Sequence, residues 1–300
     1  MAKRRSSSGA RRGSWKASSD GRRHPALGGT RRAHRHGPSG GRRNPAGDGR
    51  RPRLPPPFAA LAEAFGMLAV NVEARKFHLE LLVRDLLDAN LNTLEVLGAA
   101  IAKRDSDTGS HNYRVTIYSV RLAETLGLDR KMIGALIKGA FLHDTGKIAI
   151  PDAILLKPGK LDEAEFTVMM THVQHGIDIV GRSSWLADAL DVVGGHHEKW
   201  AGGGYPAGLS GEDIPVNARV FAIADVFDAL TSERPYKRPF PLEKSLAILR
   251  EGAGGHFDPL LIDLFEPLAP DLHARYQAMP EAALTAEVAE MRARYFGKGG

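Results

Sequence analysis

Cysteine is absent from this 300-residue chain, which excludes disulfides, thiolate nucleophiles and sulfur-ligated metal sites. Any metal must therefore be held by nitrogen and oxygen donors, and twelve histidines are available. Long apolar runs are also missing: no stretch of about 18 or more uncharged apolar residues occurs, so no membrane-spanning helix is expected. No apolar segment of the secretory kind follows the N-terminal arginines, so no signal peptide is expected either. With the lack of cysteine, these absences suggest a cytoplasmic protein. Acidic residues are nearly missing from positions 1–53, where only Asp20 and Asp48 stand against 16 Lys and Arg. Alternating strand patterns are scarce throughout.

What is present divides into three parts. The basic surplus at the start leaves the rest of the chain acidic, with 25 Lys and Arg against 33 acids, so the overall net charge of +6 describes neither part. Residues 1–57 are rich in Arg, Gly, Ser, Pro and His and have too little apolar surface to offset chain entropy, so a disordered arm is expected. A start further downstream, near Met67, is the alternative reading. A functional reading is electrostatic association with nucleic acid, although aromatic residues do not interleave the charges.

Residues 58–103 have a helical pattern. Phe65, Val72, Leu79 and Leu86 recur every seven residues, with Leu61, Leu68, Leu82 and Val96 on the complementary seam; Arg75 and Thr93 interrupt it. Such heptads predict either a stalk pairing two chains or one long amphipathic helix packed on its own domain. Beyond it, 3–4 spacing and helix-rich composition predict helices over Arg114–Leu126, Arg130–Leu142, Asp162–Val180, Leu186–Trp200, Asn217–Ser232, Leu242–Glu251 and Pro259–Leu264. Asp129, Asp152 and Asp162 are candidate helix caps. The fold class is all-α, with residues 104–300 as one domain.

The chemistry lies in an ordered series: His111, His143-Asp144, His172, His196-His197 and Asp225. Apart from the adjacent pairs, these fall on separate predicted helices, mostly near their ends. Facing helices of a bundle can aim such side chains inward at metal ions. Imidazole nitrogen plus carboxylate oxygen, without sulfur, suits iron, manganese or zinc.

The motifs around that series are His143-Asp144-Thr-Gly-Lys147-Ile, Pro151-Asp152, Lys157-Pro-Gly-Lys160-Leu, His196-His197-Glu198-Lys-Trp200 and Gly202-Gly-Gly204-Tyr205-Pro206. Ala224-Asp225-Val226-Phe-Asp228, Arg234-Pro-Tyr-Lys237 and His256-Phe-Asp258-Pro259 follow. Over roughly residues 100–265 the chain resembles the HD-GYP family of metal-dependent phosphodiesterases. The resemblance implies an HD-superfamily helical bundle with the HD-GYP extension, a centre of two or three divalent ions (iron, or alternatively manganese), and hydrolysis of cyclic di-GMP to pGpG and onward to GMP by a metal-bridging hydroxide. Position by position, it makes His143, Asp144, His172, His196, His197 and Asp225 metal ligands, with Asp144 bridging two ions. Asp107 and His111 match the family's ligands for a third ion, although Asp107 stands where the family has Glu. Lys147, Gly204, Tyr205, Arg234 and Lys237 fall at substrate-contacting positions, and Asp144 and Lys147 at catalytic ones. Ala201 stands where the family usually has Asp. The expected partners are cyclic di-GMP, a second copy through residues 58–103, and a diguanylate-cyclase (GGDEF) or sensor protein. Two alternatives are a hydrolase of another cyclic dinucleotide, such as cyclic GMP-AMP, and a weakly active dinucleotide-sensing module.

Overall fold

A computed structural model describes residues 55–105, 110–233 and 238–297. The basic arm up to position 54, with Asp107, Arg234 and Lys237, lies outside the described residues. By its contacts the chain divides after Ala60, and the helices below lie within Leu61–Gly300 apart from the first residues of α1.

Among the described residues the architecture is helical throughout. Helix α1 (Pro56–Arg104) is followed by α2 (Ser110–Leu126), α3 (Arg130–Leu142), α4 (Asp152–Leu155), α5 (Glu163–Met170), α6 (His172–Val180) and α7 (Leu190–Gly195). Then come α8 (Val216–Thr231), α9 (Leu242–Glu251), α10 (Pro259–Phe265), α11 (Ala269–Tyr276) and α12 (Glu281–Phe296). The starts follow local chemistry. The Asp129 side chain accepts from the Met132 N–H, Asp162 and Glu165 form a reciprocal capping box, and Asp258 caps α10 with Pro259 at its first turn. Asp152 is the first residue of α4 rather than its cap.

Helices α2 and α8 cross at the centre with α3 and α7 against them. Val220, Phe221, Ile223, Ala224 and Phe227 make α8 apolar on nearly every side, which is how a fully surrounded helix reads. Two expected helices are divided. Asp162–Val180 breaks at Thr171, whose hydroxyl donates to the Val168 carbonyl and places His172 at the start of α6. Leu186–Trp200 ends at Gly195, so His196 and His197 sit in the turn after it. Helices α11 and α12 were not expected, although Leu284, Val288 and Met291 form a buried stripe at helical spacing.

Helix α1 has two characters. Its C-terminal half buries Leu91, Leu94, Gly98 and Ala102, and Arg292 of α12 bonds to Glu95 and Asn92. The seam residues Leu61, Phe65, Leu68, Val72, Leu79, Leu82 and Leu86 are all exposed, on a different face. Met67, Val70 and Phe77 are exposed beside them, so the first half is apolar around its circumference rather than along one stripe. The expectation that no helix is apolar enough to span a membrane rested on demanding a run free of charge. An 18-residue window of α1, with mean hydropathy 1.2 and none of it buried, is long and apolar enough to cross a membrane by length and composition. The sequence criterion demanded no charge at all, whereas a span tolerates an occasional one such as Glu63 or Glu73.

Leu94→Ala should lower unfolding stability by about 2–5 kcal/mol, because Leu94 is buried against the body. Leu79→Ala, on the exposed seam, should leave the same denaturation curve nearly unchanged in dilute monomer. Equal losses would contradict the docking of α1.

Candidate metal centre

Four helix ends converge on one point. His111 lies in the first turn of α2, His143 caps the C-terminus of α3, His172 opens α6, and His196-His197 follow α7, while Asp225 projects from within α8. A 3-10 turn, Thr145–Ala149, starts directly after Asp144.

Backbone acceptors orient the imidazoles. The Nδ1–H of His143 donates to the Ala140 carbonyl at 2.8 Å, that of His172 to Met169 at 2.7 Å, and that of His196 to Val192 and Val193, each at 3.1 Å. With the proton held at Nδ1, Nε2 of His172 and of His196 carries a lone pair into the cluster, while Nε2 of His143 faces Asp144, whose charge outweighs burial and raises that ring's pKa. The Nε2 atoms of His172 and His196 face each other at 3.5 Å, and two neutral rings of this tautomer have no proton to share there. Such a pair of acceptors fits a cation between them.

The donor atoms fall into two sets. Those of His172, His196 and His197 lie within 4.8 Å of one another, as do those of His111, His143 and Asp225. Asp144 stands between them: one carboxylate oxygen is 3.0 Å from His143 Nε2 and the other 3.6 Å from His172 Nε2. Seven of the eight residues expected as ligands are thus brought together, and the eighth, Asp107, lies outside the described residues. This nitrogen and oxygen donor set fits a divalent metal.

The two sets differ electrostatically. Burial holds the His172, His196 and His197 rings below the usual imidazole range, His197 down to about 4, which keeps them neutral and ready to donate a lone pair. Burial would do the same to His111, but hydrogen bonds to Asp225 and Asp228 outweigh it and raise that ring to about 10. For Asp144, burial opposes ionisation, yet the charges of His143 and Lys147 keep its carboxyl well below the usual range.

Several residues take roles that motif reading did not assign. Asp228 is fully buried and accepts from His111 Nδ1 at 2.7 Å and from Arg114 Nε at 2.5 Å, so it aims the His111 ring at the centre. Its spacing of three from Asp225 on one helix was the available signal. Buried Glu198 accepts from the N–H groups of Ala207 and Gly208 and so holds the loop beyond the glycines. Lys147 does not point into open space: its ammonium lies 2.5 Å from Asp105 and 2.8 Å from Asp144. Gly204 lies against the backbone, and a Cβ there would sit 2.5–2.6 Å from backbone atoms of His197, Glu198 and Lys199. Tyr205 stacks on His197 with ring centroids 4.6 Å apart. Ala201 is exposed, and its N–H donates to the Gly255 carbonyl. His256 stacks on Phe257.

Asp228→Asn removes the carboxylate that accepts from both His111 and Arg114 and should lower stability in denaturant unfolding. It should also weaken metal retention in dialysis, because His111 loses its orienting acceptor. Wild-type stability with unchanged metal content would contradict this assignment.

A protein-family model described as an HD domain matches residues 95–261. Among curated proteins, the chain is 43% identical over 185 residues to a 3'3'-cGAMP-specific phosphodiesterase 2 of Vibrio cholerae, covering 61% of this chain and 35% of that protein. It is 46% identical over 184 residues to a cyclic di-GMP phosphodiesterase of the same organism, covering 56% and 37%. It is 38% identical over 192 residues to a cyclic di-GMP phosphodiesterase of Thermotoga maritima, covering 63% and 52%. The chain thus spans between about a third and a half of the length of these relatives. The matched segment takes up more than half of the chain and contains every donor brought together above, and the protein belongs to the HD domain family.

Proposed function

We propose that this chain is a phosphodiesterase of the HD-GYP type that hydrolyses cyclic di-GMP to pGpG and onward to GMP. The observation that carries the reading is Asp144, whose two carboxylate oxygens face two separate sets of three donors. His143 and Asp225 would help to hold one divalent ion and His172, His196 and His197 a second, with Asp144 shared; iron is the first choice and manganese the alternative. Asp107, with His111, is assigned to a third ion. Bound ions of this kind lower the pKa of water and stabilise charge on phosphate oxygens.

The chain's own groups do the rest. Neutral His172, His196 and His197 present lone pairs without first losing a proton, and the backbone bonds at Nδ1 prevent the His172 and His196 rings from turning away. Lys147 supplies a cation beside Asp144 for the diester. Arg234 and Lys237 are assigned as further phosphate contacts, Arg being able to fork onto two oxygens. Tyr205, flat against His197 and edge-on to Phe166, provides an aromatic wall where a nucleobase can rest.

A second substrate reading, cyclic GMP-AMP, is favoured by the 43% identity to a 3'3'-cGAMP-specific enzyme. Metal-loaded protein incubated with both dinucleotides tests the choice. Faster release of pGpG and GMP supports cyclic di-GMP, and preferential loss of cyclic GMP-AMP overturns it. His143→Ala or Asp144→Ala should reduce turnover by about 10³-fold or more; full activity in either variant would rule out this centre.

The domain assignment belongs to the same proposal: 1–57 a basic arm, 58–103 a stalk, 104–300 the catalytic domain, acting in the cytoplasm with a diguanylate-cyclase or sensor partner. The seam from Leu61 to Leu86, about 40 Å long, fits a second copy of the chain. Sedimentation should give a dimer, and Leu79→Lys with Leu82→Lys should give a monomer. A monomeric wild type would refute the stalk.

A further inference from the structure

Helix α1 ends on the candidate centre. The Arg104 guanidinium donates to the Lys147 carbonyl at 2.5 Å, to the Ile150 carbonyl at 2.7 Å and to Asp152 Oδ1 at 2.7 Å. It therefore grips the 3-10 turn that carries Lys147. Asp105, whose N–H still donates to Ile101 in the last turn of α1, holds the Lys147 ammonium at 2.5 Å. The same ammonium lies 2.8 Å from Asp144, so one cation is shared between the end of α1 and the carboxylate between the two donor sets.

The surrounding packing makes this link stiff. Gly98 lies so close to the end of α3 that a Cβ would stand 2.8 Å from the Phe141 carbonyl oxygen, two residues before His143. Gly146, inside the 3-10 turn, packs so tightly on α6 that a Cβ would collide with the His172 carbonyl. A cavity of about 10 Å³, lined by Ala102, Asp105, His111 and Asp144 among others, lies between the last turns of α1 and the centre. The turn is thus packed closely on α6, and the Arg104, Asp105 and Lys147 side chains connect it to the end of α1.

We propose that the last turn of α1 positions Lys147, with Asp105 fixing the ammonium and Arg104 fixing the turn beneath it, so that the state of α1 sets where the phosphate-facing cation stands. Asp105 is a positioning residue that acts through Lys147. Without its carboxylate the ammonium moves wholly onto Asp144, where it competes for the oxygens that face the two donor sets. This rests on the diesterase reading, since it assumes that Lys147 serves the diester. It adds that a helix exposing an apolar seam at one end controls the cation at the other.

The test uses the full metal-loaded chain as wild type, Asp105→Asn, Asp105→Glu, Lys147→Ala and the double variant Asp105→Asn/Lys147→Ala. Metal content, kcat and KM on cyclic di-GMP, and equilibrium binding of its nonhydrolysable thiophosphate analogue are measured for each. The expected results are a kcat about tenfold or more lower in Asp105→Asn at unchanged metal content, and substantial recovery in Asp105→Glu. The double variant should be no slower, and bind the analogue no more weakly, than Lys147→Ala alone. Multiplying effects, or an unaffected Asp105→Asn, would overturn the positioning role. Ala99→Gly with Ala100→Gly, at exposed positions that loosen the end of α1, should lower kcat in wild type and leave it unchanged in Asp105→Asn. Equal effects in both backgrounds, or none in wild type, would overturn the control by α1. A wild type that binds the analogue without cleaving it would sink the hydrolase reading, and the binding cycle would still decide whether Asp105 acts through Lys147. A wild type that neither binds nor cleaves would remove both.

Discussion

The site depends on where the Nδ1 protons go. At three helix ends an imidazole donates to a carbonyl of its own preceding turn: His143 to Ala140, His172 to Met169, and His196 to Val192 and Val193. Carbonyls near a helix C-terminus lack intrahelical partners, so the bond satisfies the helix and sets the tautomer together. The Nε2 atoms then have one direction left, toward Asp144 and one another. Burial keeps His172, His196 and His197 neutral, and the low dielectric raises the cost of leaving these facing acceptors without a cation.

This arrangement explains why helices end where they do. A single helix from Asp162 to Val180 would carry His172 within a continuous turn; the break at Thr171 gives it a helix start beside the 3-10 turn. Ending α7 at Gly195 frees His196 and His197 to occupy successive positions of a turn, with both rings facing inward. Gly204 lets the following loop lie on the His197–Lys199 backbone, and Glu198 ties that loop down from below. The packing that forms the core thus also shapes the donor sets.

Much of this was legible in the sequence. Helix starts were readable from Asp129 and Asp162, because capping is local chemistry. The donor residues were readable as an ordered series of histidines and aspartates at the ends of predicted helices. The long helix was readable from its heptads, but its burial was not, since Leu94 and Leu79 look alike until the body packs on one and not the other. The roles of Asp105 and Asp228 were hidden for the same reason: their partners, Lys147 and Arg114, lie 42 and 114 positions away. Demanding an uncharged run concealed the apolar window of α1, and polar residues around Leu284, Val288 and Met291 masked α12.

The central claim is that Asp144 stands between two metal positions. Anomalous diffraction from a crystal of protein loaded with iron or manganese, collected at the metal edge, tests it most directly. The account predicts one peak beside His172, His196 and His197 and another beside His111, His143 and Asp225, with Asp144 between them. A single peak, or peaks that avoid Asp144, would contradict it.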